Sequence, residues 1–293
     1  MRRPAVLAAA ALALCACMPP SWGAAALLHP YRRPVPAAPA LPHEDLAFEG
    51  EGGVPLRGWR FPASGPPRGV TGVWLHGIAD TRASGTWIAE RLVPQGFDVL
   101  AWDARAHGAS GGAACTYGAL ERRDLSRALD AAGVRRAILV GHSLGAAVAL
   151  QAAAEDPRVE AVVAISSFSD LEAIARDRAP WVASEAQLRE ALAIAGREGG
   201  FDVAEASPVA AARRIRVPVL LVHGADDRET RSVHSERILA ALAGPKTLLL
   251  LPATGHNDAP GRGWREIEAW LDAAAPEGLN RPSRTPSPAP RPD

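Results

Sequence analysis

The chain has 293 residues, 48% hydrophobic and 22% charged, which is ordinary globular usage and excludes a wholly disordered protein. Its 32 basic and 32 acidic side chains cancel to a formal net charge of +0, which removes the bulk electrostatic basis for nucleic-acid binding. Three cysteines, an odd number, leave at least one thiol outside any intramolecular disulfide.

The N-terminus reads as an export signal. Arg2 and Arg3 precede an apolar run over residues 5–16, too short to span a bilayer comfortably. Leu14-Cys15-Ala16-Cys17 resembles a bacterial lipobox. The resemblance implies cleavage before Cys17 and lipidation of its thiol, with residues 1–17 as the signal peptide. Ordinary cleavage near residues 24–26 and an uncleaved anchor are the alternatives. Residues 18–42 scatter seven prolines among alanines and arginines without apolar periodicity, the pattern of a semi-rigid tether. Residues 276–293 alternate Pro with Ser, Arg and Thr and read as a disordered tail. The expected location is the cell envelope or periplasm, with the membrane touched only through this N-terminal anchor or lipid.

Between them, residues 43–275 alternate short β-rich runs with helical ones. The expected strands are 56–61, 70–76, 97–103, 137–141, 159–166, 218–223 and 247–251. Continuous apolar runs such as Ala137-Ile138-Leu139-Val140 indicate strands buried on both faces. Helical spacing marks residues 86–93, 120–132, 144–155, 233–243 and 264–274. The fold class is therefore α/β, a mostly parallel doubly wound sheet flanked by helices. Residues 168–207 hold helical patches without a strand and read as a small helical cap over the C-terminal edge of the sheet, where ligands bind in such folds.

G-x-S-x-G occurs twice, at Gly108-Ala109-Ser110-Gly111-Gly112 and at Gly141-His142-Ser143-Leu144-Gly145. The second follows an apolar strand and opens a helix, the setting of a nucleophile elbow; the first sits in a glycine-rich loop. Ser143 is the candidate nucleophile. A serine needs a base to take its proton and a third group to orient that base. Two later strands end in His223-Gly224-Ala225-Asp226-Asp227 and in Pro252-Ala253-Thr254-Gly255-His256-Asn257-Asp258, which supply an acid and an imidazole in the order Ser, Asp, His.

These segments resemble the H-G-x-x-D and late G-H turns of α/β-hydrolases. By that pattern the acid is Asp227, with Asp226 and Asp258 as rivals, and His256 is the base. Trp74-Leu75-His76-Gly77-Ile78 resembles the family turn that lends one oxyanion-hole amide, which implies Ile78 as one donor and Leu144 as the other. Asp103-Ala104-Arg105-Ala106-His107-Gly108-Ala109-Ser110 resembles the family's D-x-R-x-H-G-x-S segment, whose polar residues are mostly structural. The resemblance covers residues 46–274. It implies an α/β-hydrolase fold and a serine hydrolase that needs no cofactor and cleaves a small or medium acyl ester through an acyl-enzyme on Ser143. A peptidase or amidase of the same fold is the second reading, and a non-catalytic envelope binding protein is the alternative of another class. A metal site from His76, Asp80, Asp103 and His107 is conceivable, but the sequence has no H-x-x-x-H or C-x-x-C cluster, so no metal site is expected. The expected partner is a small-molecule ester or amide and not nucleic acid. His234 reads as a surface residue of a helix, and Cys115 as a packed thiol.

Overall fold

The computed structural model describes residues 19–274, so the signal segment, Cys15, Cys17 and the tail lie outside the described residues. Its strands are β1 (Glu44–Glu49), β2 (Pro55–Phe61), β3 (Thr71–Leu75), β4 (Asp98–Trp102), β5 (Ala137–His142), β6 (Val159–Ile165), β7 (Val219–Gly224) and β8 (Lys246–Leu251). The helices are α1 (Pro20–Leu28), α2 (Gly85–Leu92), α3 (Glu121–Ala131), α4 (Leu144–Ala153), α5 (Leu171–Arg178), α6 (Glu185–Gly199), α7 (Pro208–Ala212), α8 (Val233–Ala241), α9 (Ala259–Arg262) and α10 (Trp264–Ala274).

One eight-stranded sheet runs in the order β1-β2-β4-β3-β5-β6-β7-β8. The β1–β2 and β2–β4 pairs are antiparallel, and every later pair is parallel. The fold is the expected α/β-hydrolase sandwich. The continuous apolar runs are the central strands: β3 and β7 are buried at every position, and adjacent side chains serve opposite faces. Leu139 joins one core layer with Leu125, Val148 and Ile238, while Ile138 and Val140 join the other with Ile88 and Ile267. The chain reverses direction across the sheet between β3 and β5, the kind of switch point where a crevice opens beyond the strand ends.

Two segments differ from the sequence expectation. The alternation of Leu46 and Phe48 is an edge strand, β1, too acidic and too exposed to read as one. The tether is not wholly extended, because Pro20 opens a nine-residue helix. Proline is preset for a first helical turn, and the Ala24-Ala25-Ala26-Leu27-Leu28 run that follows places Ala24 and Leu28 one turn apart on a single buried face. That face packs on α6, the longer helix of the cap.

Candidate active site

Ser143 stands at the junction of β5 and α4 with φ 53° and ψ −113°, a strained conformation that lifts its side chain off the sheet edge. The flanking glycines make the turn possible. A Cβ on Gly145 would lie 1.9 Å from the Leu75 carbonyl oxygen, and one on Gly141 would lie 2.4 Å from the Gly145 carbonyl oxygen. Both obstacles are backbone and cannot rotate away. The helix behind the turn is buried from Leu144 to Ala152, which its alanine-rich sequence permits by letting it press against the strands.

Asp227 and His256 arrive from the loops after β7 and β8. His256 Nδ1 donates to Asp227 Oδ2 at 2.7 Å, and both side chains are buried. The other oxygen, Oδ1, accepts from the amides of Glu229 at 2.9 Å and Thr230 at 2.8 Å. His223 Nε2 lies 3.4 Å from Oδ2. Burial pushes the Asp227 carboxyl up, but His223, His256 and the Thr230 amide outweigh it and hold the group well below the usual carboxylate range. Asp226, its rival, is exposed, and so is Asp258. No hydrogen bond joins Ser143 Oγ to His256 among the described residues; bonds of this kind often tighten only when substrate is bound.

The third component is the turn after β3. The Asp80 amide donates to the Gly77 carbonyl at 3.3 Å across Ile78 and Ala79, and Ala79 takes φ 56°. Leu144 is the first residue of α4, where amides have no acceptor inside the helix. Gly77 packs on the elbow, since a Cβ there would meet Ser143 Cβ at 3.6 Å. Ile78 also lines an apolar cavity of about 300 Å³ that runs outward under the cap beside Ile174 and Leu188.

Other polar motifs are committed elsewhere. Ser110 Oγ donates to the Asp103 carbonyl at 2.6 Å and accepts from the Arg57 amide at 2.9 Å, so the other G-x-S-x-G serine braces a loop. Asp103 accepts from the Arg82 guanidinium at 2.7 Å, and Arg105 clamps Asp124 with two bonds of 2.6 and 2.7 Å. His76 bonds the Gly77 carbonyl and the Ala104 amide, and His107 bonds the Arg105 carbonyl. Among the described residues no group of three such side chains is placed to hold a metal. Cys115 is fully buried, and burial pushes its thiol up.

Sequence reading missed two features. His142, beside the elbow serine, is part of the site: its Nε2 donates to the His256 carbonyl at 3.1 Å. His234 is fully buried rather than on the surface. Its Nδ1 lies 2.8 Å from Ser169 Oγ, and its Nε2 lies 3.1 Å from Asp177 Oδ2. This second Ser–His–Asp array is structural, because Ser169 is wholly buried and its hydroxyl donates to Asp170. It ties the cap helix α5 to α8.

Residues 73–191 match the family described as alpha/beta hydrolase fold. An uncharacterized protein of Mycobacterium tuberculosis (strain CDC 1551 / Oshkosh) is 31% identical over 236 residues, covering 78% of each chain. The uncharacterized protein YfhR of Escherichia coli (strain K12) is 29% identical over 227 residues, covering 74% of each. Among solved structures, the esterase Pf2001 of Pyrococcus furiosus has a TM-score of 0.68 at 20% identity, covering 84% of this chain and 99% of its own. An acetyl xylan esterase from Paenibacillus sp. R4 has a TM-score of 0.60 at 19% identity, covering 86% and 92%. With the sheet order, the elbow and these matches in agreement, the chain belongs to the α/β-hydrolase fold family.

Proposed function

We propose that the protein is a serine hydrolase that cleaves a carboxylic ester of small or medium acyl chain through an acyl-enzyme on Ser143. The observation that carries the reading is the 2.7 Å bond from His256 Nδ1 to a buried, ionised Asp227 beside a strained serine elbow. A proton fixed on Nδ1 leaves Nε2 as the base.

In this reading Ser143 Oγ attacks the ester carbonyl carbon while its proton passes to His256 Nε2. The carbonyl π electrons move onto oxygen, and the amides of Ile78 and Leu144 receive that charge. Each such donor is worth about 3 kcal/mol in the transition state. The oxyanion collapses, the C–O bond to the alcohol breaks, and His256 returns its proton to the departing alkoxide. A water then repeats the sequence on the acyl-enzyme and releases the acid and Ser143. The apolar cavity beginning at Ile78 supports an acyl chain more readily than a peptide, whose backbone requires paired donors and acceptors.

Fluorophosphonate labelling of the purified protein tests the reading. Wild type is expected to label at Ser143 and Ser143→Ala to stay unlabelled; equal labelling of the two refutes it. Turnover of graded acyl esters beside aminoacyl amides separates esterase from amidase. We also place the protein in the cell envelope, exported and lipid-anchored at Cys17, on the lipobox-like sequence. A mass measurement on protein from the native host tests the anchor, and an unmodified N-terminus downstream of Cys17 refutes the lipidation.

A further inference from the structure

The cavity that starts at Ile78 is not closed by the sheet and cap alone. One wall is α1, through Gly23, Ala26 and Leu27, and the opposite wall is the cap, through Pro180 and Leu188. Helix α1 is firmly seated. A Cβ on Gly23 would lie 3.1 Å from Ala191 Cβ, so the two helices touch nearly backbone to backbone. The Cys115 amide donates to the Leu28 carbonyl at 2.9 Å, and the Tyr117 hydroxyl donates to the Leu27 carbonyl at 3.1 Å. Beyond the helix, the Arg32 guanidinium donates to the Gly112 carbonyl at 3.0 Å. A segment whose composition suggests a linker is thus a fixed wall.

We propose that α1 completes an acyl-binding cavity, so that a segment outside the α/β sandwich sets the preference for the apolar part of the substrate, and that the ligand is the medium-length acyl chain of an ester. The proposal rests on the ester-hydrolase reading for its direction: Ile78, whose amide would hold the ester oxygen, is one of the cavity's lining residues. The lining is mostly Ala, Leu, Ile and Pro, and the volume of about 300 Å³ is at the small end of ligand sites. The Arg178 guanidinium on the lining turns to the Glu229 carbonyl and the Thr230 hydroxyl, each at 3.3 Å. At the outer end, Trp22 and Trp181 are 63% and 84% exposed beside the lining residues Gly23 and Pro180. Amphipathic indoles favour a membrane–water boundary, and Pro19, also on the lining, is two residues beyond Cys17. An acyl ester is therefore offered either from free solution or from a bilayer.

Calorimetry on the full-length Ser143→Ala protein tests the proposal without turnover, using methyl octanoate and methyl acetate, each in solution and with phosphatidylcholine vesicles. Methyl octanoate is expected to bind at least about 10-fold more tightly than methyl acetate. Adding Ala26→Trp, on the cavity wall, should abolish that difference, and Ala25→Trp, exposed on another face of the same helix, should preserve it. Ala183→Trp fills the cavity from the cap side and should act as Ala26→Trp does, which guards against a folding defect in α1. Octanoate binding seen only with vesicles, and lost in Ala26→Trp, supports the cavity and assigns a bilayer source. Equal affinity for both esters in both settings, or a preference that survives Ala26→Trp and Ala183→Trp, overturns the proposal. A wild type that binds octanoate but cleaves no ester refutes the hydrolase reading alone; one that cleaves esters without an α1-dependent preference refutes the cavity alone.

Discussion

The His142 and His256 imidazoles stack at a 4.9 Å centroid separation, tilted by 45°, while His142 Nε2 donates to the His256 carbonyl at 3.1 Å. The residue before the elbow serine therefore holds the backbone of the loop that carries His256. The elbow strand and the late loop are separated by more than a hundred residues, and this contact sets their spacing. Replacing His142 with Ala is expected to lower kcat by about 10-fold or more with little change in KM, since small misplacements of a catalytic group are costly. Steady-state kinetics on a cleaved ester would measure it.

His142 also predicts a pH dependence of stability. Burial first, and then the neighbouring His256, lower its pKa to about 4. Above the unfolded value of about 6.5 both states are neutral and the folded state loses nothing. Between about 6.5 and 4 the unfolded chain takes up a proton that the folded chain refuses, so stability falls as the pH falls. The loss is complete near pH 4 and amounts to at most about 3 kcal/mol. Urea melts of wild type and His142→Asn should differ in slope against pH within that window and run parallel above pH 7.

Asp227 and Asp226 are adjacent, yet only Asp227 faces His256. Asp227→Asn keeps the size of the side chain but gives the imidazole the wrong proton arrangement, and kcat should fall by about 10⁴-fold. Asp226→Asn should stay within about 3-fold of wild type, as ordinary surface changes do. Similar losses in both variants would show that the acid is misassigned.

The elbow stores strain that can be measured directly. Ser143→Gly relieves a positive φ worth about 1–3 kcal/mol and gives back about 0.5–1 kcal/mol in unfolded-chain entropy. It should therefore be more stable than wild type by about 1 kcal/mol while having lost catalysis by about 10⁴-fold or more. Ser143→Ala loses the same activity without the gain, so comparing their melting curves isolates the backbone effect.

Gly145→Ala should do the opposite. Its Cβ would sit 1.9 Å from the Leu75 carbonyl oxygen, a clash that only separation of α4 from β3 relieves. A loss of at least about 3 kcal/mol is expected, seen as a lowered denaturation midpoint or as insoluble protein. Gly133→Ala is the useful contrast: Gly133 has a positive φ of 64°, which Gly145 does not, but nothing lies within 4 Å of its added Cβ, so only the milder conformational cost applies there.

Most of the architecture was legible along the chain because its causes are local. Continuous apolar runs make strands such as β3 and β7 in any sheet that is covered on both faces, and Gly141-His142-Ser143-Leu144-Gly145 makes a sharp turn wherever a strand hands over to a helix. Context along the chain also separated Ser143 from Ser110, since only one is flanked by those two elements. The less regular pieces were harder. An acidic edge strand such as β1 has weak alternation because one of its neighbours is solvent. A proline-opened alanine helix in a linker-like stretch has little pattern of its own, since α1 is stabilised by what it lies on.

By itself, then, the sequence determined the order of strands β2 to β8 and the main helices between them, the serine elbow, and the loops that carry an acid and an imidazole, because hydrophobic period and turn chemistry act over a few residues. Only the tertiary structure decided which of two adjacent aspartates meets His256, that His142 braces the His256 loop, that His234 is buried, and that α1 walls the cavity at Ile78. Each of these depends on which surfaces meet across long stretches of chain, and no local pattern encodes the partner.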